Sequence, residues 1–251
     1  MTSKAGGPLS LLPTPGGTGK DGDDPFVEFA SHMTLVHNII IRGYNSMYLQ
    51  APKLKPADVP DFLRYCHAWY LFVDGHHESE EKVLFPKIEE DTGVKGIMDG
   101  DTKEHAAFHN GLEEMNTYAE TCIATPSKYN GAELVRIFDS FADAFHSHLA
   151  SEPLKLLSLQ KYKFDMKTLG DHTTQYALQR YSTTDVLPIL WYNLDTKFEG
   201  GKWETFPPLP APVKWSMVNI LGWWRSNWWR FSSCGANLAL RDELLCLRED
   251  Y

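Results

Sequence analysis

The chain has 251 residues, of which 43% are hydrophobic, and its formal net charge at pH 7 is −9. A chain of this length can bury a sizeable core, and its acidic balance without a Lys/Arg run argues against a nucleic-acid partner. The four cysteines form no Cys-x-x-Cys pair, which favours reduced thiols in a cytoplasmic compartment over a disulfide framework.

The first 25 residues are rich in Gly, Pro, Ser, Thr and Asp, and their longest apolar run is Leu11-Leu12. This composition predicts a disordered N-terminal arm over residues 1–25 and is too polar for the core of a signal peptide. No apolar stretch of about 18 residues occurs anywhere in the chain, so we expect no membrane-spanning helix.

Two helices are predicted in the next part of the chain. Apolar residues recur at steps of three and four from Phe26 to about Gln50, which indicates an amphipathic helix carrying His37. After the segment 52–60, which is bounded by prolines, a second helical pattern runs from residue 61 to about residue 90. Pro86 lies inside this pattern and should kink or end the helix near Phe85, because it lacks an N–H.

Two further helices follow the glycine-containing loop at 93–100. Asp101 with Glu104 has the spacing of a capping box, which predicts a helix from there to about residue 122. Asn130 with Glu133 repeats the signal before a fourth amphipathic pattern. Within that fourth helix Pro153 lacks an N–H, so the carbonyl of Leu149 loses its usual partner and a local bend is expected.

Beyond about residue 160 the pattern changes to short helical stretches, Gly200-Gly201 and a cluster of prolines at 207–212. Seven of the eight tryptophans lie in this region, at positions 191, 203, 215, 223, 224, 228 and 229. We interpret residues 161–251 as an extension that packs on the bundle. For the apolar segment 213–231, a lid over the bundle is favoured over an interfacial helix on a membrane.

Three pairs of potential metal ligands lie four residues apart: His77 with Glu81, His105 with His109, and His148 with Glu152. Residues i and i+4 share a helix face, so each pair can direct two ligand atoms at one point. With a histidine of the first helix, His37 or by spacing alone His32, the set is large enough for two ions inside an all-α four-helix bundle. Imidazole and carboxylate donors suit iron, manganese, zinc or copper.

These residues resemble the hemerythrin family in the form of the HHE cation-binding domain. The resemblance rests on His37-Asn38, on the run from His76 to Glu81 followed by Leu84-Phe85-Pro86, and on the His105/His109 and His148/Glu152 pairs. It covers roughly residues 26–160. It implies an up-down-up-down four-helix bundle with a non-heme di-iron centre, bridged by carboxylates and an oxo or hydroxo group.

Carried over residue by residue, the resemblance implies seven ligands. One ion would be held by His37, His77, Glu81 and Glu152, and the other by His105, His109, His148 and the same two bridging carboxylates. The oxygen carriers of the family place their last carboxylate five residues after its histidine, whereas the step here is four. This spacing matches the wider HHE group better than the carriers.

Three functions remain open at this stage. The first is an O2-activating oxidoreductase acting on a small organic substrate, for which the long aromatic extension could exclude water. The second is a protein that binds oxygen or iron without turnover, which the nitrogen-rich ligand set favours. The third is a sensor in which metal occupancy reorders the bundle.

Overall fold

The computed structural model describes residues 6–19 and 24–251, and its fold is all-α, as the sequence predicts. Four long helices form the bundle: α1 (Pro25–Gln50), α2 (Val59–Ser79), α4 (Asp99–Ala124) and α5 (Gly131–Ser158). Their apolar stripes face one another, with α5 packed against both α1 and α4, and α2 packed against α4. In the described part of the chain no helix is long and apolar enough to cross a bilayer.

The second predicted helix is interrupted by a wide turn. Residues Glu80–Leu84 form a π-turn between α2 and the short α3 (Phe85–Thr92), and the amide of Phe85 donates to the carbonyl of Glu80, five residues earlier. Pro86, the second residue of α3, cannot donate a helical hydrogen bond. The turn accommodates the missing donor with one extra residue, and the chain continues as a helix without a sharp break.

One of the two predicted helix caps is found. The side chain of Asn130 accepts hydrogen bonds from the amides of Ala132 and Glu133, as expected for the residue that starts α5. Helix α4 begins at Asp99, two residues before the predicted cap, and Asp101 is a buried residue inside its first turn. Asp101 therefore caps nothing and faces the bundle interior.

Residues 6–19 run along α1, in the region where we expected an arm without fixed structure; residues 1–5 and 20–23 lie outside the described part of the chain. Two asparagines of α1 hold the backbone of this segment. Asn45 accepts from the amide of Leu9 at 3.0 Å and donates to its carbonyl at 2.7 Å, and Asn38 pairs with Leu12 in the same way at 2.8 Å and 2.8 Å. These asparagines are seven residues apart, so they lie on one face of α1 and match an extended chain.

Replacing Asn45 with alanine should loosen this N-terminal segment. The change removes both hydrogen bonds to Leu9, a 7% exposed residue, and leaves its backbone groups without those partners. We expect the free energy of unfolding to fall by about 2 kcal/mol and the Leu9 amide to exchange with deuterium faster. Asn110→Ala, at an exposed position of α4, is the matched control. Unchanged exchange at Leu9 in the Asn45 variant would contradict this account.

Helix α6 (Met166–Arg180) is the first part of the extension and covers the groove between α1 and α2. Its buried residue Gly170 lies against the ring of Phe29, where a Cβ would come within 2.6 Å of Cδ2. Just after α6, the hydroxyl of Tyr181 donates to the carbonyl of Phe72 at 2.9 Å, and its ring stacks on Phe72 at 5.1 Å. The bundle therefore has a fifth helix closing one side near the π-turn.

The rest of the extension forms short helices: α7 (Pro188–Asn193), α8 (Ala211–Ser216) and α9 (Ser226–Trp229). Helix α7 packs against α1 and α2, and Asn193 accepts a hydrogen bond from the Tyr65 hydroxyl at 3.1 Å. Glu199 links the N-terminal segment to the extension, because its carboxylate accepts hydrogen bonds from the amide and hydroxyl of Thr14 and from the indole of Trp203. In the segment 213–231, which we expected as a lid, Trp228, Trp229 and Phe231 are buried, whereas the tryptophans at 215, 223 and 224 are exposed.

Candidate metal centre

Seven histidine and glutamate side chains meet inside the bundle in two groups. In each group the potential ligand atoms lie within 4.8 Å of one another, and all seven residues are buried. The first group consists of His77, Glu80, His105 and His148, and the second consists of His37, His76, Glu80 and Glu152. Glu80 belongs to both groups, so its two carboxylate oxygens can face two ions.

Five of the seven residues expected from the sequence are in these groups: His37, His77, His105, His148 and Glu152. Glu81 and His109 are in neither. Glu80 occupies the position expected for Glu81, and His76 is an additional imidazole that is not among the seven residues implied by the resemblance. The donors that the structure brings together are therefore still five imidazoles and two carboxylates.

The inner stripe of α2 explains why Glu80 and His76 face inward. One row of buried residues runs along this helix and into the π-turn at steps of four, three, four, three and four: Phe62, Cys66, Trp69, Val73, His76 and Glu80. Glu81 is the next residue along and lies about 100° further around the helix axis. Its side chain is 42% exposed. The sequence contained this signal, because the stripe from Phe62 reaches Glu80 without a break.

His109 lies outside the site because of the position of the buried stripe on α4. That stripe includes Asp101, His105, Phe108 and Leu112, and its centre falls on the side of His105 away from His109. At 100° per residue, His109 is about 80° from this centre. It is exposed in the structure. A spacing of four residues is therefore compatible with one inward and one outward side chain when the first lies near the edge of the stripe.

Pro153 has a direct effect on the orientation of His37. Because Pro153 has no N–H, the carbonyl of Leu149 is available one turn earlier on α5. The Nδ1 of His37 lies 2.7 Å from this carbonyl oxygen, which can only accept, so Nδ1 carries the proton and donates. The lone pair of His37 is then on Nε2, which points toward His76 and Glu152 at 3.1 Å and 3.2 Å.

Two further imidazoles are oriented by carboxylates at the edge of the cluster. Glu81 lies 2.8 Å from Nδ1 of His105, and Glu104 lies 3.2 Å from Nδ1 of His148. Glu104 is itself held by the hydroxyl of Ser151 at 3.0 Å. A carboxylate that accepts from one ring nitrogen fixes the tautomer and makes the other nitrogen a better ligand. Glu81, expected as a bridge, instead orients a ligand.

The electrostatics of the cluster reflect its burial. Burial lowers the pKa of His76 to about 4, of His148 to about 3 and of His77 well below its usual value. Burial also raises the pKa of Glu80 well above its usual value. Burial acts in the same direction on Glu152, but the contact with His37 and the neighbouring imidazoles outweighs burial and lowers that pKa to about 2. His76, His77 and His148 are therefore neutral at pH 7, the state in which an imidazole binds a metal ion.

The donor set fits a pair of metal ions. Nε2 of His77 and all four carboxylate oxygens of Glu80 and Glu152 are buried without a hydrogen-bond partner, a costly arrangement unless a cation fills it. Nε2 of His105 and Nε2 of His148 are 3.1 Å apart. Two ligands at right angles on one ion, with bonds of about 2.1 Å, would be about 3.0 Å apart. This spacing is what adjacent positions on a shared cation require.

Aromatic side chains cover the cluster on the α4 and α5 side. The ring of Phe108 lies 5.1 Å from that of His77 and 5.5 Å from that of His148, and Phe145 packs on Phe108 at 5.0 Å. Phe85, the first residue after the π-turn, lies 5.6 Å from His105. An apolar shell of this kind limits solvent access and lowers the local dielectric around a metal.

Comparison with known proteins identifies the family of the bundle. Residues 29–159, just over half of the chain, match the family model described as Hemerythrin HHE cation binding domain. A relative from Cryptosporiopsis sp. (strain 8999), the "Dimeric xanthone biosynthesis cluster protein R11", is 35% identical over 235 residues, covering 91% of this chain and 87% of that protein. This similarity extends beyond the bundle into the C-terminal extension. No solved structure matches the chain.

Proposed function

The chain belongs to the hemerythrin HHE cation-binding family, and from this we propose that it is a non-heme di-iron oxidoreductase that uses O2 to oxidise a small organic substrate. The observation that carries the proposal is the shared carboxylate. Glu80 lies in both groups of donors, which is the arrangement that two adjacent ions need. Cation binding by the helical bundle is a property of the family as a whole.

We assign the ligands from the two groups. One iron ion would be held by His77, Glu80, His105 and His148, and the second by His37, His76, Glu80 and Glu152. Imidazole and carboxylate ligands suit iron; manganese and zinc accept the same donors, and the choice of iron follows the family. Fewer than six protein donors per ion would leave coordination positions for small exogenous ligands.

When bound, the iron pair supplies the capacity to bind O2 and to accept or donate electrons. The protein supplies orientation and exclusion of water. The Leu149 carbonyl, Glu81 and Glu104 hold three imidazoles with their Nε2 lone pairs inward. Phe108, Phe145 and Phe85 keep the surroundings apolar, which protects reactive oxygen chemistry from solvent.

Oxidation of an organic substrate is supported by the relative, whose name places it in a biosynthesis cluster. A tailoring step on an aromatic compound is the kind of reaction that such a cluster protein would perform with O2. Non-catalytic binding of oxygen or iron is the alternative function. The five imidazoles favour it, because nitrogen-rich ligation also suits reversible O2 binding.

The test begins with elemental analysis and an optical spectrum of the full-length protein isolated in air. We expect two irons per chain and a visible band from an oxo-bridged pair. The reduced protein is then mixed with O2 and a panel of polyhydroxylated aromatic compounds, xanthones included. Oxygen uptake coupled to product formation, absent in Glu152→Ala, supports the enzyme. A band that appears with O2 and disappears reversibly under vacuum, without product, supports the carrier and rejects the enzyme.

A further inference from the structure

A run of large apolar side chains is exposed on the segment 209–224 of the extension. Three of them are tryptophans that are 61%, 70% and 63% exposed, and the other three are aliphatic. We call this set the tryptophan surface: Leu209, Val213, Trp215, Ile220, Trp223 and Trp224. Exposed apolar clusters of this kind usually mark an interaction site.

The tryptophan surface is mounted on a packed base. The chain from Ala211 to Trp229 forms consecutive short helical pieces, with a non-helical backbone at Arg225 before α9. Its inner side is buried at Val218, Gly222, Trp228 and Trp229. Gly222 lies against the ring of Tyr192, where a Cβ would be 2.6 Å from the hydroxyl oxygen, and that hydroxyl donates to the carbonyl of Val218 at 3.1 Å. The segment is therefore fixed to the fold, and its outer side chains have no internal core to enter.

The segment that carries this surface holds only positive charges, and one of them, Arg225, pairs with Asp185 outside the segment, with Nε 2.9 Å from Oδ1. No Asp or Glu occurs from residue 205 to residue 225, whereas Lys214 and Arg225 lie within that stretch, in a chain with a net charge of −9. The Lys214 amine reaches the carbonyls of Thr205 and Phe206, and the Arg225 guanidinium lies 4.7 Å from the ring centre of Trp228. Cationic side chains beside aromatic rings can keep their charged ends in the polar layer while their stems cover apolar surface.

We propose that the tryptophan surface docks the protein on the interface of a lipid bilayer, with the indole rings at the level of the headgroups. Tryptophan prefers this layer because its ring is apolar and its N–H is polar. Lys214 supplies a positive charge for lipid phosphates, whereas the charge of Arg225 is partly balanced by Asp185. A second copy of the chain would bring the same cations face to face, so self-association through this surface lacks that complementarity. The sequence alone allows either an interfacial helix or a lid in this segment, and the exposure of the tryptophans favours the interfacial helix.

The experiment is cosedimentation of the full-length protein with sucrose-loaded vesicles, made either of phosphatidylcholine or of phosphatidylcholine with 30% phosphatidylglycerol. We expect binding to both, stronger with the anionic lipid, and quenching of tryptophan emission by brominated lipids. Trp223→Ser combined with Trp224→Ser should lower the partition coefficient at least about tenfold, because two large apolar rings no longer leave water. Leu154→Ser and Leu178→Ser, at exposed apolar positions outside the surface, are the matched controls.

Three results would overturn the proposal. The first is wild-type protein that stays in the supernatant with both vesicle types. The second is binding that the double tryptophan variant retains, which would indicate a general electrostatic attraction. The third is a concentration-dependent dimer, lost in the double variant, without vesicle binding; the surface would then be a contact between copies. Circular dichroism of each variant verifies that it remains folded.

Discussion

Replacing Glu80 with alanine is expected to remove metal from both positions of the centre, whereas Glu81→Ala should leave two ions bound. The two glutamates are neighbours of identical chemistry, and only their direction differs. Glu80 is fully buried and lies in both donor groups, whereas Glu81 is 42% exposed and contacts the far nitrogen of His105. Loss of an orienting carboxylate typically lowers metal affinity about 10- to 100-fold, which still permits loading at micromolar iron.

Metal content per chain, measured by elemental analysis after dialysis against iron, distinguishes these variants. His76→Ala and His109→Ala form a second matched pair: the first should lose at least one ion and the second should retain both, since His109 is exposed. Circular dichroism confirms folding. Full metal in Glu80→Ala together with none in Glu81→Ala would restore the ligand set that the family resemblance implies and reject the one assigned from the structure.

The metal-free protein should lose stability as the pH falls from 7 to 5.5. His76, His77 and His148 have folded-state pKa values below the unfolded value of 6.5, so below pH 6.5 the unfolded chain takes up three protons that the folded chain does not. Their stabilising contribution is therefore present above pH 6.5 and lost below it. Glu80 acts oppositely, because its raised pKa lets the folded state keep one proton above pH 4.5.

Within the cluster, three protons against one give a net dependence of at most about 2 to 3 kcal/mol per pH unit. Burial also lowers the pKa of His32 and raises the pKa of Asp101 to about 6, and these two contributions oppose each other. Glu152 does not contribute in this range, because its lowered pKa affects stability only below about pH 4.5. For a protein of this size the melting temperature should fall by about 5 to 10 °C between pH 7 and 5.5. The measurement is thermal unfolding after treatment with EDTA and removal of the chelate.

His109→Ala serves as the control for this pH dependence, since it removes an exposed histidine and should show the wild-type slope. His148→Ala should show a smaller slope, because one of the three buried imidazoles is gone. A melting temperature of the metal-free protein that is constant or rises on acidification would mean that the buried histidines are already protonated in the folded state. The lowered pKa values of the cluster would then be wrong.

The sequence predicts the bundle and most of the site because both depend on helical periodicity. The apolar stripes locate α1, α2, α4 and α5, and Asn130 marks the start of α5 by its side-chain chemistry. A spacing of four residues does not determine which member of a ligand pair faces the interior of the bundle. Extending the stripe of α2 would have chosen Glu80 over Glu81, and the same reasoning on α4 would have excluded His109.

Other features lay beyond reach of the sequence because they depend on contacts between distant segments. Residues 6–19 are polar and rich in glycine and proline, yet they are held by side chains of Asn38 and Asn45 that local composition does not reveal. The outward direction of Trp223 and Trp224 depends on the packing of Gly222 against Tyr192. The sequence predicts that Pro153 frees the Leu149 carbonyl, but the contact of His37 with that oxygen depends on the folded bundle.

The π-turn at Glu80–Leu84 makes this helix tolerant of a change in length that ordinary helices resist. Because the extra residue is confined to one wide turn, the helical turns before and after it keep the same face toward the core. Val73 and Ile88 can therefore both remain buried. A side-chain substitution cannot test this feature, because it leaves the number of residues in the turn unchanged. Shortening the chain by one residue between Glu80 and Leu84 is the alteration that addresses the wide turn alone, with both flanking helices left in register.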